Sequence, residues 1–309
     1  MNPTNAAVVV PVFNRPRTVL KTLDSVAAQT ARPARLVVVD DGSSDETTAS
    51  VRSWITRNSP SFSTMLVWQP NRGAAAARNR GLQVAQDCRY VAFLDSDDRW
   101  PSDFLSRTTS ILQQRPQGIA VSTDRLQVNP SSGRSKFRSQ AAMPRNPHVW
   151  LLQNPPGIGS ATLFRTDAVR DVGGYNEQTP TGHDLELFLR IATRGRWLYA
   201  PGSPVVYQCG PGNGPPDEEG HLSSKYPDRH RIWARVVEEF ILHRGGNELV
   251  PERVYAKKLA EHWVKAGRGL LKLGHVAEAR ECLEQSLRWH RWSVTAWHWW
   301  WRANLRSAG

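Results

Sequence analysis

The chain has 309 residues, of which 39% are apolar, and it carries 13 tryptophans and a formal net charge of +12. This composition excludes a disordered chain and suffices for one large α/β domain or for a catalytic domain with a helical appendage. The three cysteines, Cys88, Cys209 and Cys282, are far apart and form no C-x-x-C pair, which argues against a disulfide framework or a thiolate zinc site.

The beginning of the sequence shows no signal peptide, and no apolar run approaches the ~20 residues that a membrane-spanning helix needs. We therefore expect a cytoplasmic protein. The positive charge has two interpretations, a solvated surface or a partner that is a nucleic acid, an anionic membrane or a phosphorylated substrate.

Short apolar runs alternate with amphipathic stretches along the first hundred residues. Buried strands are predicted at residues 6–12, 36–39, 65–68 and 90–94, and helical spacing lies between them, as in residues 18–29. The pattern indicates βαβ units and a mostly parallel central sheet flanked by helices, a Rossmann-like α/β fold. In such sheets ligands bind beyond the carboxyl ends of the strands.

Two of these predicted strands end in acidic clusters. One cluster contains Asp40 and Asp41, and the other is the run Asp95-Ser96-Asp97-Asp98. A single acidic turn is ordinarily a helix cap, whereas two at neighbouring strand ends indicate a functional site. Hard divalent cations prefer oxygen ligands and share one or two protein carboxylates with substrate phosphates, so this edge of the sheet is a candidate metal and phosphate site.

The later chain is less regular. Residues 124–156 are rich in Pro, Ser, Gly and Asn with little periodicity, which predicts a long loop region, and residues 210–220 predict a linker or lid. An amphipathic helix is predicted at 184–192, and the pattern beyond Tyr226 is helical with a break at Val250–Pro251. We expect a catalytic domain at residues 1–225 and an α-helical extension at residues 226–309.

Five segments together resemble glycosyltransferase family 2, whose members are inverting enzymes with the GT-A fold. In chain order they are VVVPVFNRPRTVLKTLDSVAAQT, VVVDDGSSDET, NRGAAAARNRGL, VAFLDSDDRW and SATLFRTDAVRDVGGYNEQTPTGHDLELFLRIATRG. The resemblance implies transfer of a sugar from a nucleotide-diphosphate sugar, UDP-linked, to an acceptor hydroxyl. It also implies a divalent metal, Mn²⁺ or Mg²⁺.

The resemblance assigns the donor-binding residues. Pro11, Phe13 and Asp41 would hold the nucleotide base, with Asp41 accepting from a uracil-like N–H. The arginine of the ARN block, Arg78, would lie near the nucleotide.

The resemblance also assigns the metal and catalytic residues. Asp97 would be the metal ligand, and Asp95 would face the ribose or a metal-bound water, with Ser96 between them at the donor site. Asp184 would be the general base, and His183 stands where the family usually has a glutamate. A rival interpretation of Asp184 is a charge that stabilises the beginning of a helix.

The carboxyl-terminal region contains GRGLLKLGHVAEARECLEQSLRWH, which resembles part of one tetratricopeptide repeat with Gly274 at its turn. Six tryptophans interleaved with Arg and His follow from Trp289 on. Their rings either form the core of the helical tail or lie on an anionic bilayer at the inner face of the membrane. The tail could also pack on the catalytic domain or form a homodimer. Single-stranded nucleic acid binding has no other support, so no nucleic acid partner is expected.

Two functions of other classes compete with a glycosyltransferase. One is a catalytically silent module that binds a nucleotide sugar or assembles through its helical tail. The other is a nucleotidyltransferase, which would show a Gly-rich basic loop after the first strand, where VPVFNRPR has no glycine. The expected acceptor of a transferase is a hydroxyl of a glycan, a lipid-linked saccharide or a protein.

Overall fold

The computed structural model describes residues 4–129, 132–154, 159–208, 226 and 228–305. These residues divide into two compact units. The first, residues 4–147 and 159–208, mixes strands and helices. The second, residues 148–154 and the described residues from 226 on, is helical.

An eight-stranded sheet forms the centre of the first unit. Its strands are β1 (Ala6–Val12), β2 (Arg35–Asp40), β3 (Ser63–Trp68), β4 (Tyr90–Phe93), β5 (Gly118–Val128), β6 (Ser135–Arg138), β7 (Thr162–Arg165) and β8 (Arg196–Gln208). The spatial order is β3-β2-β1-β4-β7-β5-β6, with β8 paired to β5. Six strands run in one direction, and β6 and β7 run in the other. This confirms the predicted mostly parallel sheet.

Helices connect the strands and make up the second unit. They are α1 (Thr18–Ala27), α2 (Thr47–Asn58), α3 (Ala74–Val84), α4 (Phe104–Gln114), α5 (Pro147–Gln153), α6 (Thr166–Asp171), α7 (His183–Ile191), α8 (Arg229–His243), α9 (Gly246–Leu249), α10 (Glu252–Lys272), α11 (Val276–Trp289) and α12 (Val294–Leu305).

The core lies around β1, whose residues are all buried. Consecutive buried residues mean that both faces of the strand are covered, as in parallel sheets with helices on both sides. Helix α3 packs directly on this strand, because a Cβ added at Gly81 would lie 2.2 Å from Cγ1 of Val9. The fit requires glycine at that position of the helix.

Pro11 lies inside β1, although a central strand normally excludes proline. The carbonyl of Val9 accepts from Leu94 N at 2.9 Å, immediately after β4 ends. Alternate residues of a strand bond to the same neighbouring strand, so the backbone of Pro11, like that of Val9, faces β4. Because β4 has already ended at this level, the missing N–H of Pro11 removes no hydrogen bond between the two strands. The ends of β1 and β4 thus meet where the strand order reverses, which is where ligands bind in sheets of this kind.

The long loop predicted for residues 124–156 is wrong in part. Strand β5 continues to Val128 and pairs with β6, Leu126 lying opposite Phe137, and α5 follows. The sequence pattern does not predict these strands, because the outer end of β5 and most of β6 carry polar residues on an exposed surface and their apolar alternation is short.

In the helical unit, α10 and α11 form a helical hairpin. They are joined by a short turn at Gly274, whose φ of 85° suits glycine. Ala279 and Leu283 are buried in it, and a Cβ added at Gly267 would lie 2.8 Å from Leu283. The predicted break at 250–251 separates α9 from α10. The helical carboxyl-terminal region is thereby confirmed. Within the described ranges no helix is both long and apolar enough to cross a membrane.

The tail tryptophans divide between core and surface. Trp289 donates its indole N–H to Oε1 of Glu238 at 2.8 Å, and Trp263 donates to the same oxygen at the same distance. Trp292, Trp297 and Trp301 are instead exposed. The interpretation that the tryptophan rings form the core of the helical tail is therefore wrong for Trp292, Trp297 and Trp301.

Candidate active site

An ion pair joins the segments that follow β1 and β4. Nη1 of Arg15 lies 2.5 Å from Oδ2 of Asp97, and both side chains are largely buried. The loop after β1 holds Arg15 in place, because its backbone N–H donates to the hydroxyl of Thr47 at 2.8 Å. Asn14, with a φ of 49°, accepts from Ser44 N through its side chain at 3.0 Å. The sequence interpretation did not include Arg15.

Asp40, the last residue of β2, and Asp41, which follows it, form hydrogen bonds with the neighbouring loops. Asp40 accepts from Ser43 N at 2.9 Å and from the hydroxyl of Thr48. Gly42 has a φ of 77°, and a Cβ there would lie 2.7 Å from the backbone N of Asn71. The loops after β2 and β3 are therefore in direct contact.

Asp41 is buried and accepts three hydrogen bonds. Oδ1 accepts from Nε2 of Gln69 at 2.7 Å and from Arg72 N at 2.9 Å, and Oδ2 accepts from Gly73 N at 2.8 Å. Asp41 thus orders the loop that leads into α3. Since a carboxylate oxygen has two lone pairs, Oδ2 keeps room for a second donor.

Arg78 of α3 is at the centre of the site. Its Nη2 donates to Oδ1 of Asp95 at 2.5 Å, its Nη1 donates to Nε2 of His183 at 2.8 Å, and its guanidinium lies 5.3 Å from the ring centre of Tyr175. Burial alone would lower the pKa of Arg78, but the nearby carboxylates of Asp95 and Asp184 outweigh it, so the pKa is raised. Arg78 stays charged, and its positive charge acts on both acids.

His183 is a neutral hydrogen-bond acceptor. Its Nε2 faces a guanidinium N–H, so the ring proton resides on Nδ1. Burial lowers the pKa of His183 to about 4, with Arg78 adding to the effect and Asp184 opposing it. Because His183 is neutral where the family usually has a glutamate, the positive charge of Arg78 is balanced by Asp95 and Asp184 alone among these neighbours.

Asp184 lies in the first turn of α7, whose N-cap residue is Gly182. Oδ1 is buried and has no hydrogen-bond partner among the described residues, while a fifth of the side chain is exposed. The Tyr175 hydroxyl approaches the carboxylate, and burial together with Asp184 raises the pKa of Tyr175 well above its usual value. A carboxylate oxygen in this condition can accept from a ligand.

Asp95 is positioned by the segment that precedes β7. Its backbone N–H donates to Oγ of Ser160 at 3.1 Å, and Trp100 donates its indole N–H to the Ser160 carbonyl at 2.6 Å. Ser160 reaches this place because β7 runs antiparallel to β4 and so begins where β4 ends. Burial raises the pKa of Asp95, opposed by Arg78 and assisted by Asp184 and Asp97.

Asp98 holds backbone segments in place through its hydrogen bonds. Its Oδ1 accepts from Gln208 N at 3.0 Å, and its carbonyl accepts from the hydroxyl of Thr22 at 2.8 Å. Burial, and then the charges of Asp97 and Asp95, raise the pKa of Asp98 well above its ordinary value. This residue fixes the end of β8 against the turn after β4.

The structure brings most of the predicted site residues to one edge of the sheet. Asp95, Asp97, Asp184 and Arg78 are near enough for their charges to act on one another. Among the remaining ones, Pro11 and Ser96 are buried, and Phe13, directly after β1, is half-buried.

Asp95 and Asp97 are the two carboxylates that could hold a metal. Each places one oxygen in an ion pair with an arginine, and the other oxygen is outside that pair. No group of three or more His, Cys, Asp or Glu residues in the described ranges is arranged around a metal position. Two carboxylates fit Mg²⁺ or Mn²⁺ when a diphosphate and water provide the other ligands.

The neutral state of His183 makes stability depend on pH. Its pKa is about 4 when folded and 6.5 ordinarily, so below pH 6.5 the unfolded chain binds a proton that the folded chain does not. We expect the free energy of unfolding to fall from pH 6.5 down to about 4, by roughly 3 kcal/mol from this group.

Urea unfolding between pH 7 and 4 would measure this effect against His183→Gln, whose side-chain oxygen can still accept from Arg78. His230 and His262 also have lowered pKa values, to about 4 and about 3, and act in the same direction in both proteins. The expected result is a shallower pH dependence for the variant, and equal slopes would contradict it.

The sequence model of glycosyl transferase family 2 matches residues 7–173, more than half of the chain. The chain belongs to this family. The match ends before Asp184, so the proposed base lies beyond the segment that the family model covers.

Curated relatives of this glycosyltransferase include a protein named for succinoglycan biosynthesis and one named as a glucosyltransferase. The chain is 35% identical over 161 residues to the succinoglycan biosynthesis protein ExoO of Rhizobium meliloti, covering 52% of this chain and 43% of that protein. It is 36% identical over 157 residues to the UDP-Glc:alpha-D-GlcNAc-diphosphoundecaprenol beta-1,3-glucosyltransferase WfgD of Escherichia coli, covering 51% and 58%. Across the relatives, the matches span 31% to 58% of their own lengths.

Two solved structures have a fold similar to that of this chain. TarS 1-349 of S. aureus in complex with UDP-GlcNAc aligns with a TM-score of 0.67 at 18% identity, covering 92% of this chain and 81% of that one. The mannosyltransferase PcManGT of Pyrobaculum calidifontis, in complex with GDP-Man and Mn2+, aligns with a TM-score of 0.63 at 20% identity, covering 99% and 87%. These similarities confirm the GT-A fold expected from the sequence.

Proposed function

We propose that this glycosyltransferase transfers a sugar, with inversion, from a UDP-linked nucleotide-diphosphate sugar to an acceptor hydroxyl. Asp184 is its general base, and Mn²⁺ or Mg²⁺ is its metal. The observation that carries the proposal is the buried oxygen of Asp184, which lacks a hydrogen-bond partner in the described structure and lies beside the Arg78–Asp95 pair.

A buried polar atom without a partner is costly, so it calls for an explanation. The rival interpretation of Asp184, a charge that stabilises the beginning of α7, needs no buried oxygen and so leaves this one unexplained. An acceptor hydroxyl would supply the missing donor. Its oxygen attacks the anomeric carbon from the face opposite the diphosphate, the bond from that carbon to the diphosphate breaks, and the hydroxyl proton passes to Asp184.

The donor half of the site is assigned to the ends of β1 and β2. Asp41 would accept the N–H of the base through Oδ2, which receives one bond from Gly73 N, and Pro11 and Phe13 would line the base. Arg78 would act on the donor through Asp95, its partner. The UDP-GlcNAc in TarS and the UDP-Glc in the name of the Escherichia coli relative support a UDP-linked donor.

Asp97 and Asp95, with Ser96 between them, are proposed to hold the metal and the adjoining part of the donor. The bound metal would take up negative charge on the departing diphosphate. The Mn2+ in the PcManGT complex supports a divalent metal. Arg15 and Arg78 neutralise the two carboxylates in the structure described above.

Arg15 and the metal are expected to compete for Asp97. Arg15→Gln removes the cation 2.5 Å from Oδ2 of Asp97, so it should tighten Mn²⁺ binding without donor by about tenfold. Electron paramagnetic resonance of free Mn²⁺ would measure the change. Arg17→Gln removes the same charge from an exposed neighbour, and an equal effect of both variants would refute the competition.

A panel of nucleotide sugars with Mn²⁺ or Mg²⁺ tests the proposal in two stages. A ligand that binds the native state raises the melting temperature, which identifies the donor. NMR of the transferred product then reports the anomeric configuration. Absence of metal-dependent transfer or hydrolysis with every donor would overturn the proposal, and retained configuration would overturn inversion.

The same experiments separate the competing functions. A catalytically silent module would show the thermal shift without turnover, and a nucleotidyltransferase would release pyrophosphate from a nucleoside triphosphate. Asp184 favours an enzyme over the silent module, since its buried Oδ1 has no hydrogen-bond donor in the part of the chain that is described.

The proposed acceptor is a hydroxyl of a glycan, a lipid-linked saccharide or a protein. The diphosphoundecaprenol in the Escherichia coli relative's name supports the lipid-linked class. We place the enzyme in the cytoplasm, peripheral to the inner face of an anionic membrane, without a nucleic acid partner and with a homodimer as the alternative assembly. Residues 1–225 are the proposed catalytic domain and 226–309 the helical extension, to which residues 148–154 also contribute.

A further inference from the structure

Helix α12 has an apolar face that points into solvent. The residues of this face, called the α12 stripe, are spaced three, four and four apart, so they lie in one row along the helix. They are exposed by 82%, 42%, 60% and 73% in the order Val294, Trp297, Trp301 and Leu305. The opposite side of the helix is the packed one, since Ala296 and Ala303 are fully buried.

Single exposed apolar residues are normal on a protein surface, but a contiguous row is typical of an interaction site. Trp292, in the turn before α12, is also 74% exposed, and the Arg291 guanidinium lies 4.7 Å from its ring centre. The α12 stripe is therefore a candidate interaction surface.

Positive charge flanks the α12 stripe. Arg302, on the side of the same helix, is exposed, and its guanidinium lies 5.0 Å from the ring centre of Trp299. Residues 288–305 include Arg288, Arg291 and Arg302 and contain no Asp or Glu. An apolar face rich in tryptophan beside arginines is the arrangement of helices that lie in the interface of an anionic bilayer.

The charge pattern favours a membrane over a second copy of the chain as the partner of the α12 stripe. A twofold dimer through the α12 stripe would bring the same arginines of both copies together, because such an interface places identical patches face to face. Like charges in contact are unfavourable. An anionic lipid surface attracts these arginines, and the boundary below its headgroups accepts the tryptophans.

We propose that the α12 stripe docks the enzyme on an anionic membrane surface, with Trp297 and Trp301 inserted at the level of the headgroups and Arg291 and Arg302 facing lipid phosphates. This inference concerns a surface outside the catalytic centre. Its test needs no donor and no turnover, so it succeeds or fails independently of the proposed activity.

The test is co-sedimentation of the full chain with vesicles of phosphatidylcholine containing about a third phosphatidylglycerol, compared with phosphatidylcholine alone. We expect binding to the anionic vesicles that weakens as salt is raised. Trp297→Ala combined with Trp301→Ala should reduce the partition coefficient about tenfold or more. Trp68→Ala, a 58% exposed tryptophan of the first unit, is the matched control and should have no effect.

A charge series tests the second half of the inference. Arg291→Gln with Arg302→Gln should weaken binding to anionic vesicles, whereas Arg52→Gln with Arg57→Gln, two exposed arginines of α2, should not. Equal binding of all variants, or equal binding to neutral vesicles, would overturn the proposal. A dimer in sedimentation velocity that the double tryptophan variant abolishes, with no vesicle binding, would overturn it in favour of self-association.

One measurement avoids variants entirely. Lipids brominated near the headgroup should quench part of the tryptophan fluorescence of the natural chain in anionic vesicles but not in neutral ones. Absence of quenching in anionic vesicles would show that the tryptophans do not enter the interface.

Discussion

Replacing Asp184 with Asn is expected to lower kcat by roughly a thousandfold while leaving the affinity for the donor unchanged, since a positioned base contributes about 10²–10⁴. Asparagine keeps the size of the side chain and one oxygen acceptor but cannot take up the hydroxyl proton. Asp95 still pairs with Arg78 at 2.5 Å, so the centre of the site should remain assembled.

The measurement is a pair of experiments, donor binding by calorimetry and initial rates against acceptor concentration. Asp171→Asn, an exposed aspartate in α6, is the matched control and should retain normal rates. Turnover of Asp184→Asn within a few-fold of the natural enzyme would remove Asp184 as the base.

Replacing Asp97 with Ala is expected to abolish the metal-dependent part of donor binding. The metal contributes several kcal/mol to the stabilisation of the leaving diphosphate, so activity should fall by about two orders of magnitude or more. The variant also leaves Arg15 without the carboxylate that it pairs with at 2.5 Å, which should weaken the metal site further.

Thermal shift with Mn²⁺, with donor, and with both together would test this expectation. Asp87→Ala is the matched control, because Asp87 pairs with Arg35 at 2.6 Å away from the site. It removes the same kind of ion pair and should leave the response to Mn²⁺ and donor intact. A normal metal-dependent shift in Asp97→Ala would exclude Asp97 as the ligand.

The positions of Asp41 and Asp97 could be predicted because each follows a strand that is buried on both faces. Such a strand is a continuous apolar run, and its end is visible as an abrupt change to polar residues. Parallel strands then bring these ends to one edge of the sheet, so sequence position alone places the side chains together.

The partners of these aspartates could not be predicted in the same way. Arg15 and Asp97 are 82 positions apart, and Ser160 comes to Asp95 because β7 reverses direction. Nothing in a local pattern encodes that reversal. The pairing of His183 with Arg78 likewise depends on burial and on the ring proton, which only the folded environment determines.

The burial of the tail tryptophans also cannot be predicted from the local sequence pattern. Its sequence indicates a helix rich in tryptophan, but the packing of α12 on its neighbours decides which rings are inside. Ala296 and Ala303 determine the buried side, because small residues allow the helix to approach closely. The larger rings are consequently left on the outer side.

The late position of β7 in the chain has a consequence for biosynthesis. Strand β4 lies between β1 and β7, and all four of its residues are buried. On the ribosome β1 emerges long before Thr162, so the nascent polypeptide presents Tyr90–Phe93 as an open apolar edge until β7 is made. Unpaired edges of this kind invite association with other chains. Chaperone protection during that interval would benefit this enzyme more than one whose sheet closes in the order of translation.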